Sequence, residues 1–327
     1  SGNASENAIV IEKASNLYVQ VDLFAASAGS AAPSTLADNL LFITDSSIDS
    51  SSLGAAMNPS GDVVGNRVDI RHSTLRSSSG GNIFVYGGLH QGYGGLDGMI
   101  AGNYIRLEDV TLDLKDRQAA FFIAGQISAS EGGVLAGDGS WDERLAQARL
   151  VGAGRFGGTG GDDVRENALR LSGWRGVVSS VKGFNTIELS NIPWETESTV
   201  LRVDMRPYDD WEEIVTEETL DLSGTTFAFV DGGFVFEGGA DAHLGESMTL
   251  LEAGEHSELL LNPLYEGEGQ AVTLTTGITT EVEGRIRNAE DAKSIVLELE
   301  DAPAPNRQLA LVSNQRNAAV TFLGQAA

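Results

Sequence analysis

Asn66-Arg67-Val68-Asp69-Ile70 is followed, 37 residues later, by Asn103-Tyr104-Ile105-Arg106-Leu107. The same cassette, Asn-x-aliphatic-x-aliphatic, occurs upstream as Asn7-Ala8-Ile9-Val10-Ile11 and Asn39-Leu40-Leu41-Phe42-Ile43. Downstream it returns as Asn167-Ala168-Leu169-Arg170-Leu171 and Asn185-Thr186-Ile187-Glu188-Leu189. The third and fifth positions are Ile, Val or Leu in every copy, and the fourth is usually charged. Alternation with a period of two puts one face of a strand in a core and the other in water. The spacings between successive asparagines, 32, 27, 37, 64 and 18 residues, centre on the length of one turn of a repeat protein. The pattern predicts an all-β fold of stacked coils, a parallel β-helix (β-solenoid).

Composition fits a stack of short strands. Forty glycines among 327 residues, with seven prolines, supply many tight corners. The formal net charge is −26, a field that repels phosphate backbones and anionic lipid and excludes a nucleic-acid partner. There is no cysteine, which suits a chain that crosses an oxidising compartment unfolded. No apolar run of about 18 residues is present to span a bilayer as a helix.

After the cassettes come second strand-like runs: Asn16 to Leu23, Asn82 to Gly88 and Ala120 to Gly125. Each leads into a Gly- or Ser-rich stretch, so one turn holds two or three strands separated by corners. Loops such as Gly87 to Gly102 recur at one phase of the repeat, as lateral loops on a trunk would. Helices are expected at Trp141 to Leu150 and at Asn314 to Ala327. From about Asp221 the strands become denser and hairpin-like, as where a solenoid covers its last coil. The chain thus divides into a trunk at 1–205, capping coils at 206–312 and the start of a linker helix at 313–327.

The units GNRVDIRHSTL (65–75), GNYIRLEDVTL (102–112) and ENALRLSGW (166–174), with IFVYGG (83–88) between them, resemble repeats of autotransporter passenger domains of Gram-negative bacteria. GFNTIELSNIPWETESTVLRVD (183–204) resembles the stretch where such passengers approach their barrel. NQRNAAVTFLGQAA (314–327) resembles the start of the helix leading into that barrel. The resemblance implies that the β-helix is right-handed and is exported through the periplasm to the cell surface by its own C-terminal β-barrel translocator, absent from this sequence. It assigns residues 220–312 an autochaperone-like role. Passengers of this kind are mostly adhesins, so the expected partners are the same protein on neighbouring cells or a host surface glycoprotein or matrix protein.

Catalytic motifs are sparse. No Gly-x-Ser-x-Gly elbow, His-Glu-x-x-His or cysteine nucleophile occurs. His72, His90, His243 and His256 are scattered, and no cofactor or metal is expected. Gly160-Gly161-Asp162-Asp163 is one isolated Gly-Asp unit without the period of a calcium repeat. An enzyme on this scaffold, a polysaccharide lyase or glycosidase, would need carboxylates and arginines converging on one face. Asp69 with Arg71 and Arg106 with Glu108 hold matching cassette positions and are expected to stack outward as charge pairs. No cluster of Arg and Lys stands out along the chain, which weighs against an acidic polymer as substrate. The repeated asparagines are read as an architectural ladder or as corner residues.

Aromatic residues beside Gly, Pro or acids are the remaining contact candidates: Tyr86, Tyr93, Trp141, Trp194, Tyr208 and Trp211. Tyr208 and Trp211, in the acidic insertion Arg206 to Glu213, lead that set, with Tyr93 and Trp141 next. The functional expectation is a surface adhesin that works by repeated weak contacts. A bare stalk for an N-terminal effector is the structural alternative.

Overall fold

The computed structural model describes residues 4–22, 35–50, 52–58, 62–77, 83–90, 99–114, 120–126, 163–178, 180–196, 198–204, 218–254, 257–276, 280–290 and 293–300. Among these the protein is all-β, and none of the described residues forms a helix able to cross a membrane. The cassettes build its largest parallel sheet. Ala8–Glu12, Leu40–Thr44, Arg67–Arg71, Tyr104–Glu108, Ala168–Ser172, Thr186–Ser190 and Thr226–Phe229 lie side by side in that order. Their register is one-to-one: Ile9 pairs Leu41, which pairs Val68, then Ile105, Leu169, Ile187 and Phe227. Each aliphatic position therefore stacks on its counterpart from the next copy. Leu41, Ile43, Val68, Ile70, Ile105, Leu107, Leu169, Leu171, Ile187 and Leu189 are all wholly buried. At about 1.5–3 kcal/mol for each fully buried side chain, these columns are the main source of stability.

Parallel neighbours need a long connection. Here the connection carries strands of three further parallel sheets. One runs through Ala4–Ser5, Leu36–Ala37, Val63–Val64, Met99–Ala101 and Asp163–Arg165. A second holds Leu17–Tyr18, Ser47–Asp49, Thr74–Arg76 and Thr111–Asp113. The third holds Val21–Asp22, Ser52–Gly54, Ile83–His90, Ala120–Gln126 and Ser180–Lys182. Chain order and spatial order agree in these four sheets, so each pass of the chain through them lies on the one before.

The corners explain the asparagines. Glu6, Asp38, Gly65, Gly102 and Glu166, each just before a cassette Asn, have positive φ between 56° and 68°. Six positions after the Asn comes a second left-handed residue: Lys13, Asp45, His72, Asp109, Gly173 and Asn191 in turn. Strands that end on such residues turn sharply, and the backbone groups exposed there need partners. The asparagines provide them. Asn7 Nδ2 donates to Asn39 Oδ1 at 3.0 Å, Asn39 to Asn66 at 2.8 Å, Asn66 to Asn103 at 3.0 Å and Asn103 to Asn167 at 3.1 Å. The same oxygens accept the backbone N–H of the preceding Asn, and Asn185 Oδ1 accepts that of Asn167 at 3.0 Å. Asn39, Asn66, Asn103 and Asn167 are wholly buried, so the expected architectural ladder is present.

Beyond the cassettes the parallel pattern continues further than the dense apolar runs imply. Ile192–Pro193 pairs with Phe234–Val235, Thr199–Val203 with Ser247–Ala253, and Glu218–Asp221 with Ser257–Leu260, all parallel. The hairpin-like reading is therefore corrected from Asp221 to Leu260 and holds from Gln270 to Leu299. Those short runs pair with strands one pass away rather than with their sequence neighbours. Antiparallel pairing begins with Gln270–Thr276 against Thr280–Asn288, which continues onto Ser294–Leu299 and so to Ser247–Ala253. The expected helices at Trp141 to Leu150 and Asn314 to Ala327 lie outside the described residues.

Candidate functional site

The second and fourth cassette positions point away from the core, and their stacking assembles a face that is scattered along the chain. Arg67 pairs Tyr104, Asp69 pairs Arg106, and Arg71 pairs Glu108 across adjacent strands. Arg170 pairs with Arg106 on one side and Glu188 on the other. Neighbouring strands lie about 4.8 Å apart, so these side chains stand as neighbours on the face. The expected stacking of Asp69 and Arg71 on Arg106 and Glu108 is observed. The absence of an arginine cluster is not: Arg67, Arg71, Arg106 and Arg170 share one face. Only the parallel register brings them together, because they are spread over about a hundred residues of sequence.

Asp69 is the centre of this face. Its side chain is 3% exposed, and Arg71 grips it as a fork, Nε to Oδ1 and Nη2 to Oδ2, both at 2.8 Å. Arg67 Nη2 adds a third contact to Oδ2 at 2.6 Å. Burial alone would raise the Asp69 carboxyl, but the Arg71 hydrogen bonds and the charges of Arg67 and Arg71 outweigh it. The carboxyl is held below its usual range and stays ionised. Arg106 Nη2 donates to Glu108 Oε2 at 2.5 Å, and Arg71 Nε lies 3.6 Å from the same oxygen. Arg67 stacks over the Tyr104 ring at 5.1 Å and Arg71 over Phe42 at 5.3 Å. Tyr104 reaches past Ala168 to donate its hydroxyl to Glu188 Oε2 at 3.1 Å. Burial, reinforced by the Glu188 charge, pushes that hydroxyl up to about 12. Arg170 closes the far end on Ser190 Oγ at 3.2 Å and Asp231 Oδ2 at 2.5 Å.

Chemically, Asp69 and Tyr104 are held in fixed protonation states. Asp69 stays charged and Tyr104 neutral through the neutral range, so neither is poised to pass a proton. The arrangement presents ordered charge and two aromatic rings, which is the chemistry of contact.

A corner column runs beside this face. His72 stands between two aspartates from adjacent passes, with Nε2 at 3.4 Å from Asp109 Oδ2 and Nδ1 at 3.9 Å from Asp45 Oδ1. All three have positive φ, so the corner geometry alone stacks them. Among the described residues, no group of three or more His, Asp or Glu is placed to hold a metal ion.

The aromatic candidates divide. Tyr93, Trp141, Tyr208 and Trp211 lie outside the described residues, as do His256 and most of Gly160 to Asp163. Tyr86 and Trp194 are corrected from exposed to buried. Tyr86 is wholly buried in a space left by Gly54. Trp194, 5% exposed, stacks on Phe236 at 5.2 Å and meets Phe234 edge-on at 5.4 Å. Its indole N–H donates to Glu246 Oε2 at 2.9 Å, a carboxylate that also accepts from Thr196 and approaches His243. Sequence reading missed Arg67, Tyr104, Arg170 and Glu188; the available signal was their place at outward cassette positions.

Comparison with protein families, with curated proteins and with solved structures found no match to this chain.

Proposed function

We propose that the chain is a right-handed parallel β-helix, the passenger portion of an autotransporter exported through the periplasm, and that it acts at the bacterial surface as an adhesin. The observation that carries this reading is the in-register stacking of the cassettes, which sets outward side chains of successive passes into one continuous face. A rigid face repeated along a rod favours many weak contacts made together, and linkage of such contacts multiplies affinity without any single tight site. A net charge of −26 opposes association by bulk attraction, so contacts between rods or with a host glycoprotein must use locally patterned groups. Face residues such as Arg67, Asp69, Arg106 and Glu108 provide that pattern.

The test is a settling assay with cells of a non-adherent strain displaying this chain fused to a translocator barrel. Deletion of residues 1–205 is the paired control. Clumping, or adhesion to a matrix-coated surface, that the deletion abolishes supports the adhesin. Confirmed display without either overturns it.

A second reading has one observation in its favour: Asp69, Glu108 and Glu188 converge with four arginines and Tyr104, the residue types of a polysaccharide lyase or glycosidase on such a scaffold. The engagement of Asp69 by two arginines and the high Tyr104 value weigh against it. Release of reducing sugar or unsaturated product from acidic polysaccharides by the purified chain would reverse the order of the two.

A further inference from the structure

On the adhesin reading, which this inference deepens, the geometry points to the face around Arg67, Tyr104 and Arg106 as a binding site for a single acidic sugar, one whose carboxylate or sulfate is received by the two guanidinium groups. Three arginines, Arg67, Arg71 and Arg106, stand there against two carboxylates, Asp69 and Glu108, while farther along the face Arg170 is matched by Asp231 and Glu188 is held by the Tyr104 hydroxyl. Three guanidiniums carry about fifteen N–H donors, whereas two carboxylates offer about eight lone-pair positions. The Nε–H groups of Arg67 and Arg106 also have no acceptor, but they are shielded from solvent, so an incoming oxyanion is received by the outer Nη groups. A local cationic spot therefore sits on a protein that is otherwise strongly acidic.

The shape supports a small ligand. Arg67, Asp69, Tyr104 and Arg106 form a square two strands wide and two outward positions long, roughly 5 by 7 Å. That is the footprint of one sugar ring. Arg67 is 43% exposed at its side chain and Arg106 18%, while Asp69 lies sunk between them at 3%. An incoming oxyanion thus meets the arginines before it meets Asp69. The Tyr104 ring borders the square and holds the Arg67 guanidinium over its face, which fixes where that charge is presented.

The corner at Asp45 and Asp109 lies on the Arg71 and Glu108 side, with both side chains more than half exposed. It repels an anion, so the acid group is directed to the Arg67 and Arg106 side. The whole-molecule charge acts in the same sense on ligand size. At physiological salt, screening over about 8 Å lets one anion reach the spot but does not remove repulsion along a long polyanion. The ligand class is therefore a terminal acidic sugar and not an extended acidic polymer.

The test uses the full 327-residue chain and three probes of equal size: a glucuronate-terminated disaccharide, a sulfated disaccharide and the neutral parent. Calorimetric titration should find one or both acidic probes bound about tenfold or more tighter than the neutral one, with affinity falling as salt rises. The carboxylate and sulfate arms identify which oxyanion is preferred. Arg67→Gln and Arg106→Gln should each weaken binding about tenfold, comparable to the loss of one charge-assisted contact. Arg67→Gln leaves the Asp69–Arg71 fork in place, and a melting curve for each variant verifies the fold. Arg285→Gln, in the antiparallel region, should bind like the parent. Equal binding of acidic and neutral probes, or no binding of either, overturns the site, as does an unchanged affinity in both arginine variants. Settling by displayed cells is scored separately. Cells that adhere while the chain ignores acidic sugars remove the site and keep the adhesin. A chain that binds acidic sugar while displayed cells never adhere does the reverse.

Discussion

Gly54 and Tyr86 stand opposite each other on adjacent parallel strands, and the tyrosine ring fills the space a side chain at residue 54 would need. A Cβ there would lie 1.9 Å from Tyr86 Cε2 and 2.0 Å from Cζ. Tyr86 is wholly buried and cannot swing into water to make room. Gly54→Ala should therefore destabilise by about 1–3 kcal/mol, the usual range for an overpacked interior. The double variant with Tyr86→Leu should recover most of that loss in urea unfolding. Strictly additive costs would show that the ring is not what excludes the side chain.

The asparagine ladder makes a different prediction. Asn66 Nδ2 donates to Leu36 O, Val64 O and Asn103 Oδ1, and its Oδ1 accepts both the backbone and side-chain N–H of Asn39. Asn66→Ala removes all of these at a buried site and leaves the Asn39 N–H and the Leu36 carbonyl without this partner. Unsatisfied buried groups cost about 1–3 kcal/mol each, so a loss of about 2–4 kcal/mol is expected by chemical unfolding. Asn66→Asp should be no milder near neutral pH, because a carboxylate cannot donate to Asn103 Oδ1. A variant as stable as the parent would remove the ladder from the list of forces that hold the stack.

How much of this was legible in the chain depends on whether the signal repeats. The inward columns and the ladder were readable because Asn and two aliphatics recur at fixed offsets. The charged face was only half readable. Asp69, Arg71, Arg106 and Glu108 hold equivalent cassette positions, so their stacking follows from the repeat. The clustering of Arg67, Arg71, Arg106 and Arg170 does not show in a linear scan, because their adjacency needs the register as well. Tyr86 and Trp194 were misread for a related reason. A neighbouring Gly or Pro resembles a loop signal, while the partners that bury them, Gly54 and Phe234, lie 32 and 40 residues away in sequence. Tyr208 and Trp211, in the acidic insertion, carry no periodic signal at all.

Asp69→Asn tests the centre of the face through pH. The carboxyl is held below its ordinary value in the folded chain, so it contributes stability that is fully present above the unfolded carboxylate value of about 3.9. That stability fades as pH falls through the lower folded value. Asparagine at this position keeps the size and removes the charge, leaving two guanidinium groups without their shared anion. The variant should lose about 1–3 kcal/mol at pH 7, the range for hydrogen bonds to a charged group with both arginines partly solvated. Below that folded value the two proteins should converge. A gap that stays constant down to acid pH would assign the loss to packing rather than to charge.

His243 and Glu246 set a second pH-dependent element beneath Trp194. The two ring nitrogens of His243 face acceptors, Glu237 O at 2.9 Å and Glu246 Oε2 at 2.8 Å. Doubly protonated imidazolium satisfies both, and the Glu237 carbonyl, then Glu246, raise the His243 value above its usual 6.5. Hydrogen bonds from Thr196, Trp194 and His243 pull Glu246 down to about 2. The signs differ between the two groups. The histidine contribution is complete below its unfolded value of about 6.5 and is lost as pH rises through the raised folded value. The glutamate contribution is present above about 4.3 and is lost as pH falls through about 2. Local order around Trp194 should therefore be greatest between about pH 4.5 and 6.5. Glu246→Gln should lower the His243 titration midpoint by proton NMR and make the Trp194 emission less sensitive to pH between 6 and 8. A midpoint unmoved by the substitution would leave the Glu237 carbonyl as the group that holds the imidazolium.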